Sequence, residues 1–454
     1  MLNRRAFLQD SGKALAAARL IGAALAPGMF VSDAVAALKG GKRSVVIPTH
    51  EHWGDIDERL DFPRGWEVLE QRMAGHDAPV LSREEMRRRL QAPTGTRPLR
   101  EIAAGKKSAV VTFDDLTRPT PTYEIAPLVV EELRAAGIPE ERIIFLGSYG
   151  THRNMEQDEV ARKLGREITR RYSWINHNIF DNLKDIGETS YKNRIRINQT
   201  FAAAEVKVTL SGIKVHGGAG YGGGAKAILP GIVALDTTQY NHQTMKRDPK
   251  TGGALKIFKN DMRLDMIESA RLASVDFSVQ IVYNGKRKVC GIFAGDIVEA
   301  HHAACRTANK HYRTPGVRDA DVVVANAYPQ NTQAAHGLSW INSSVREGGT
   351  GVLIIQHPQG ISSWHYLNER TRGRGGRTYY DAVASPPPAP PKHAQLVIFS
   401  QYLDRQQMNK FAPGTLFAFT WAEVIGHLQA RHKGDARVAA YPYSCIQHPE
   451  VDLA

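Results

Sequence analysis

Several stretches of this chain are apolar without interruption, end in glycine, aspartate or histidine, and lead into segments with helical spacing. Ser108–Phe113 is followed by a loop and an amphipathic helix over about Tyr123–Ala136, which Gly137 and Pro139 stop. Ile143–Gly147 ends at the loop Ser148–Arg153, and Ala204–Leu210 leads into the glycine-rich run Gly217–Gly224. Uninterrupted apolar runs suit strands covered on both faces, and their alternation with helices predicts parallel sheets. A second set begins near Arg313, with a strand at Asp321–Ala327, a helix through Val345, and strands at Gly351–Gln356 and Gln395–Ser400. Gly295–Tyr312 reads as the helix joining the two sets, and Ser385–Pro391 as a proline-rich loop. The expected fold class is therefore α/β, with two domains, each a mainly parallel sheet flanked by helices, and an active site in the interdomain cleft. The expected boundaries are residues 37–300 and 301–436, with 437–454, including the strand Arg437–Tyr441, packing back on the first domain.

Composition narrows the class of protein. At 454 residues with 42% apolar and 23% charged positions, the chain can bury two sizeable cores and reads as globular rather than disordered. A net charge of +13 invites a nucleic-acid reading, but the basic residues are scattered, with short clusters only at Arg87–Arg89, Arg170–Arg171 and Arg372–Arg377. No aromatic RNA-binding signature or zinc-finger spacing accompanies them, so nucleic acid is not the expected partner. Attraction of small carboxylates explains the charge better. The three cysteines, Cys290, Cys305 and Cys445, form no CxxC pair and read as small buried apolar residues rather than a disulfide framework.

The N-terminus reads as an address. Asn3-Arg4-Arg5-Ala6-Phe7-Leu8 resembles a twin-arginine export signal, followed by a moderately apolar stretch and a small-residue site suited to cleavage after Ala36. Arg19 interrupts the apolar stretch and argues against a stable membrane anchor. The expected location is periplasmic, with the twin-arginine translocase, which moves folded proteins, as a partner.

Candidate chemistry collects at strand ends, where open α/β sheets bind ligands. Three segments lie there: Asp114-Asp115-Leu116-Thr117-Arg118-Pro119, Gly150-Thr151-His152-Arg153, and His216 with Gly217-Gly218-Ala219-Gly220-Tyr221-Gly222-Gly223-Gly224. So much glycine lets backbone N–H groups approach a ligand and form an anion-binding nest. The spacing of lysine and hydroxyl residues excludes a P-loop.

These blocks, in this order, are similar to the nickel-pincer nucleotide-dependent lactate racemase family of 2-hydroxy acid racemases and epimerases. Asp115 to Pro121, Gly150 to Arg153, His216 through Lys226 to Gly231, Asn241-His242, and Phe293 to Asp296 carry the resemblance. Lys226 follows His216 by ten residues and precedes His242 by sixteen, as in the family. The resemblance implies a cofactor, a pyridinium bis-thiocarboxylate mononucleotide holding nickel, supplied by cytoplasmic cofactor-synthesis proteins. It implies that Lys226 tethers the cofactor covalently, that His242 completes the nickel coordination, and that Gly222, Gly223 and Gly224 close around it. It further implies His152 and His216 as paired general acids and bases, Arg118 as the contact of the substrate carboxylate, and Asp115 and Thr117 as supporting residues on the cofactor side. The implied activity is inversion of the hydroxyl-bearing carbon of a 2-hydroxy acid by reversible hydride transfer.

The resemblance weakens in the C-terminal part. Lactate-specific members carry a Tyr-Gln pair and a lysine three residues after the Gln. Here Thr332-Gln333 is followed by His336, so Gln333 and His336 are the candidate substrate contacts and the lysine is missing. A site lined by polar rather than cationic groups predicts a larger hydroxy or aldonic acid rather than lactate. Trp340, Trp364 and His365 are further candidates for shaping such a pocket. Two other readings use the same residues: a zinc hydrolase with His152, His216 and His242 as ligands, and a periplasmic binding protein without turnover. The pair His301-His302, adjacent on a helix, carries no functional expectation.

Overall fold

The structure is a computed structural model and describes residues 43–244, 252–361, 392–451 and 453. The export signal, the proline-rich loop, Trp364 and His365 lie outside the described residues. Two six-stranded sheets form the body of the described residues, beside one three-stranded and two two-stranded sheets. The first runs Val289–Gly295, Phe277–Tyr283, Val206–Gly212, Ala109–Phe113, Ile143–Gly147, Ser173–Asn176, parallel throughout except for the antiparallel edge strand Val289–Gly295. The second runs Leu416–Ala418, Gln395–Phe399, Val345–Ile354, Ala320–Asn326, Arg437–Tyr441, Glu67–Glu70 and is wholly parallel.

Burial on both faces explains the unbroken apolar runs. In Ala109–Phe113 every residue is buried, and alternate side chains serve different cores. Val111 and Phe113 face the cluster that includes Ile125 and Val129 of the helix Thr122–Ala135, while Val110 faces one that includes Met262 and Met266 of the helix Asp261–Leu272. The second sheet repeats the device. Val322 and Val324 pack with Val424 and Leu428 of the helix Trp421–Arg431, and Val323 and Ala325 with Trp340 and Ile341 of the helix Ala335–Ser344. Helix starts are fixed locally: Thr420 and Glu423 form a reciprocal capping box, and the Asn260 side chain caps the N–H of Arg263.

Chain order and sheet membership differ at both ends. The strand Arg437–Tyr441, expected on the first domain, lies inside the second sheet, although Tyr443 and Ile446 just after it join the first core. The hairpin Ser44–Thr49/Ile56–Asp61 and the strand Glu67–Glu70, expected in the first domain, also belong to the second sheet's core through Val45, Ile47, Leu60 and Val68. In the first sheet the chain adds two strands on one side of Ala109–Phe113 and then returns to place Val206–Gly212 on its other side. That reversal makes a crevice at the carboxyl ends of these two strands.

Candidate active site

A cavity of about 440 Å³ occupies the crevice. His152, His216, Lys226, His242, Arg118, Asp115, Gly222, Gly223 and His336 all line it. Thr117 is buried behind the wall, Gly224 lies at the head of the short turn that carries Lys226, and Gln333 ends the 3-10 turn Asn331–Gln333 before the helix of His336. Segments more than two hundred residues apart in sequence thus meet at one place.

The two candidate acid–base histidines are held in different states. His152 Nδ1 donates to Asp115 Oδ2 at 2.5 Å, which leaves the lone pair of a neutral ring on Nε2. Burial works against the Asp115 carboxylate, yet His152, Arg118 and the Thr117 hydroxyl together hold it well below the usual carboxylate range. Thr117 in turn joins Asp115 to Arg118, donating to Asp115 Oδ1 at 2.5 Å and accepting from Arg118 Nη1 at 2.7 Å. His216 Nδ1 instead accepts two backbone N–H groups, from Gly218 at 3.2 Å and Ala219 at 3.0 Å. Its neutral ring therefore carries the proton on Nε2, and burial with Lys226 nearby pushes its pKa well below the ordinary histidine value.

The glycine run is fixed from beneath by side chains the sequence reading passed over. Arg263 is fully buried and donates to the carbonyls of Ala219 (3.0 and 3.1 Å), Gly223 (3.1 Å) and Tyr221. Burial alone lowers its pKa to about 10. Gln280 Oε1 accepts the Gly224 N–H at 2.8 Å, and His301 Nε2 donates to the Gly222 carbonyl at 3.0 Å. His301, left without a role above, is thus a support of the loop, while His302 lies edge-on to Phe258. Gly223 and Gly224 have φ of +74° and +59°, and a Cβ on either would strike Gln280 or the His301 ring at 2.6–2.7 Å. Only glycine fits both the backbone and the space there.

Lys214 stands in no motif of the sequence. It is 2% exposed, lines the cavity, and its ammonium meets Gln330 Oε1 from the loop after the second-sheet strand Ala320–Asn326. Burial and the neighbouring Arg118 push its pKa down to about 7. His336 is driven down to about 3 by burial, Lys214 and Arg118. The expectation of a polar rather than cationic wall is therefore corrected: the cation arrives from the first sheet, two residues before His216. The cysteines behave as small apolar residues, with Cys305 and Cys445 buried and their thiols pushed up to about 12 by burial.

Residues 53–253 match the family described as lactate racemase N-terminal domain. The chain is 29% identical over 282 residues to a lactate racemase of Lactiplantibacillus plantarum, covering 61% of this chain and 66% of that protein. It is 27% identical over 333 residues to one of Thermoanaerobacterium thermosaccharolyticum, covering 71% and 73%. The chain is thus similar to lactate racemases, and the family match lies in its N-terminal part. The fold agrees: the lactate racemase apoprotein of Thermoanaerobacterium thermosaccharolyticum superposes with a TM-score of 0.62 at 21% identity, covering 89% of this chain and 99% of that one. A Thermotoga maritima protein superposes with a TM-score of 0.59 at 16% identity, covering 82% and 98%.

The residues present fit the nickel-pincer nucleotide that the sequence resemblance implies. His242, on the one-turn π-helix Tyr240–Thr244, donates from Nδ1 to the Thr238 carbonyl at 3.1 Å, the tautomer a metal-ligating imidazole needs at Nε2. Burial, with Arg263 and Arg118 nearby, pushes the Lys226 amine well below its ordinary pKa, toward the neutral nucleophilic form that amide-type tethering requires. Two buried hydroxyls on the cavity wall, Tyr149 and Ser211, have no hydrogen-bond partner among the described residues. A polar ligand would satisfy them.

Proposed function

We propose that this protein inverts the hydroxyl-bearing C2 of a 2-hydroxy acid, using the nickel-pincer nucleotide. The single observation that carries the reading is the convergence of His152, His216, Lys226, His242 and Arg118 on one cavity. Lys226 would hold the cofactor covalently and His242 would supply its protein ligand to nickel. When bound, that group would supply a reversible hydride acceptor for C2.

The chain's own residues supply the rest. Arg118 pairs with the substrate carboxylate, its guanidinium oriented by Thr117. His152 takes the hydroxyl proton on Nε2, and Asp115 stabilises the imidazolium that forms. The α-proton is not the one removed, because a 2-hydroxy acid is barely acidic there. The keto acid that results turns within the cavity, so the hydroxyl re-forms on the side of His216. His216 meets it first as a donor, since its Nδ1 is engaged by backbone N–H groups.

The zinc hydrolase reading has less support. Among the described residues no three His, Cys, Asp or Glu side chains cluster as a protein-only metal site, whereas a nickel set completed by the nucleotide asks for one imidazole. A hydrolase also gives Lys226 and the glycine loop no work. We propose export to the periplasm on the twin-arginine pattern at Asn3–Leu8, with cofactor loading beforehand in the cytoplasm. Among the described residues no helix is long and apolar enough to cross a membrane.

The test is to purify the mature protein from its native host, measure its metal and weigh the peptide containing Lys226. A panel of 2-hydroxy acids is then followed by chiral chromatography. Nickel, a nucleotide-sized adduct on Lys226 and interconversion of one acid are expected. Zinc with an unmodified lysine, in a host able to make the cofactor, would overturn the reading.

A further inference from the structure

The helix Asp261–Leu272 carries two fully buried charged residues near its start, Arg263 and Asp265. Arg263 holds the glycine run. Positions two apart on a helix point to different faces, so Asp265 addresses another segment. Its carboxylate is held by three neutral donors rather than by a cation: Thr189 Oγ1 donates to Oδ1 at 2.6 Å, and Asn193 Nδ2 and Asn241 Nδ2 donate to Oδ2 at 2.9 and 2.7 Å. A carboxylate out of water is ordinarily matched by a cation, because burying it without one is costly. Hydrogen bonds to the ionised group are stronger than neutral ones, so the three donors are held firmly in return. Thr189 and Asn193 belong to the turn between the strands Leu183–Glu188 and Arg194–Asn198. Asn241 is fully buried, directly precedes His242, and also donates to the Met262 carbonyl at 3.1 Å. Just before it, the Tyr240 hydroxyl donates to the Tyr191 carbonyl of the same hairpin turn at 2.8 Å. The turn that ends at His242 is therefore pinned by two successive side chains, one of them through a buried charge.

We propose that Asp265 is a positioning residue for the nickel ligand: it fixes Asn241 and so holds the His242 imidazole at a set place relative to Lys226. The inference rests on the nickel-pincer reading above and adds to it a buried carboxylate which that reading does not use. One helix then sets tether against ligand, with Arg263 shaping the run that leads to Lys226 and Asp265 fixing the turn that ends at His242. A carboxylate does there what an amide does not. It only accepts, so both oxygens can face donors, whereas an amide would turn its NH2 on one of them.

The test follows nickel rather than turnover. The wild type, Asp265→Asn, His242→Gln and the double variant are purified from the native host and exposed to EDTA. Nickel release is timed by atomic absorption, the nickel absorption bands are recorded, and the adduct on Lys226 is weighed by peptide mass. Asp265→Asn should keep the adduct, shift the bands and release nickel about 10- to 100-fold faster, the loss of metal affinity expected when a group behind a ligand is removed. In the His242→Gln background it should add nothing, because it acts through that imidazole. Asn241→Ala breaks the same bond from its other end and leaves the carboxylate two donors, so it should give the same change even if Asp265→Asn does not fold. Leu428→Ala, in the second sheet's core, should lower the melting temperature and leave release and bands unchanged. Wild-type release in Asp265→Asn or Asn241→Ala, the same change in Leu428→Ala, or an equal further loss in the His242→Gln background would overturn the inference while the nickel reading stood. Wild-type protein without nickel or adduct would overturn both.

Discussion

At the scale of single residues, charge and tautomer decide what each group can do. In the proposed mechanism His152, with Asp115 behind it, takes the hydroxyl proton, so His152→Gln should lower turnover by about 10²- to 10⁴-fold, and Asp115→Asn by about 10- to 100-fold. For a racemisation, whose equilibrium constant is one, kcat/KM must fall equally in both directions whichever histidine is lost. Chiral chromatography started from each enantiomer checks this, and a one-sided loss would contradict a racemase acting on a single pair. Lys214 makes a separate prediction about stability. Its pKa is about 7 in the fold, below the ordinary lysine value, so the folded state binds fewer protons than the unfolded one between these limits. Stability contributed by this group therefore rises with pH above 7, and below pH 7 the full cost of burying the charge is felt. Lys214→Met should raise the melting temperature of the apoprotein most at pH 6 and hardly at all at pH 10. At about 1.4 kcal/mol per pH unit, the gain at low pH is on the order of several kcal/mol. What the sequence showed at this scale were local blocks such as Gly150-Thr151-His152-Arg153. Lys214, Arg263, Gln280 and His301 were not legible, because each acts on a loop or partner distant in the chain and stands in no short pattern of its own.

At the scale of elements, the glycine run is shaped by the helix Asp261–Leu272 and the helix Glu299–His311, not by its own composition. Arg263→Met would keep the volume but take the Arg263 donor from the Ala219 and Tyr221 carbonyls and leave the Gly223 carbonyl with the Lys226 N–H. Each unsatisfied buried group costs about 1–3 kcal/mol, so a fall in melting temperature of several degrees is expected by calorimetry. Loading of the cofactor on Lys226, read by peptide mass, should fall with it. Gly223→Ala, whose new Cβ meets Gln280 and Ile213 at 2.6 Å, should lose loading with a smaller effect on stability. Unchanged adduct levels in both variants would show that the loop's shape does not govern the tether. Among the buried strands, Ile143–Gly147 and Arg437–Tyr441 fall where their apolar runs place them, whereas Phe277–Tyr283, buried throughout, was not expected. The short antiparallel pairs were not expected either. Leu183–Glu188 and Arg194–Asn198 carry too many charged residues to show a two-residue period.

At the scale of the molecule, an apolar run tells that a strand is buried but not in which sheet, and this is why both chain ends were expected in the wrong place. Val45, Leu60 and Val438 are as apolar as any first-sheet residue, and only long-range pairing assigns them. The misplaced N-terminal hairpin matters for function, because the loop at its turn reaches back to the site. Asp55 takes a two-point contact from Arg287 at 2.6 and 2.7 Å and the Tyr328 hydroxyl at 2.8 Å. Arg287 also contacts His52 Nδ1 at 3.0 Å, and His52 Nε2 donates to the Arg118 backbone carbonyl at 3.0 Å. Lys163 donates to that carbonyl as well, at 2.8 Å. The backbone of Arg118, the proposed carboxylate contact, is thus held by a relay that runs through the second sheet's hairpin and a tyrosine after its strand Ala320–Asn326. Asp55→Ala should strand Arg287, which is 8% exposed, and cost about 2–4 kcal/mol in denaturant unfolding. Because the relay ends on Arg118 and touches no acid–base group, KM should rise about 10-fold while kcat changes less. The exposed pair Arg59–Asp61 on the same hairpin offers the control, and Arg59→Ala should leave both constants unchanged. A double-mutant cycle between Asp55→Ala and Arg287→Ala separates the two roles: strong coupling in KM as well as in stability means the relay positions Arg118, whereas coupling in stability alone means it only holds the sheets together.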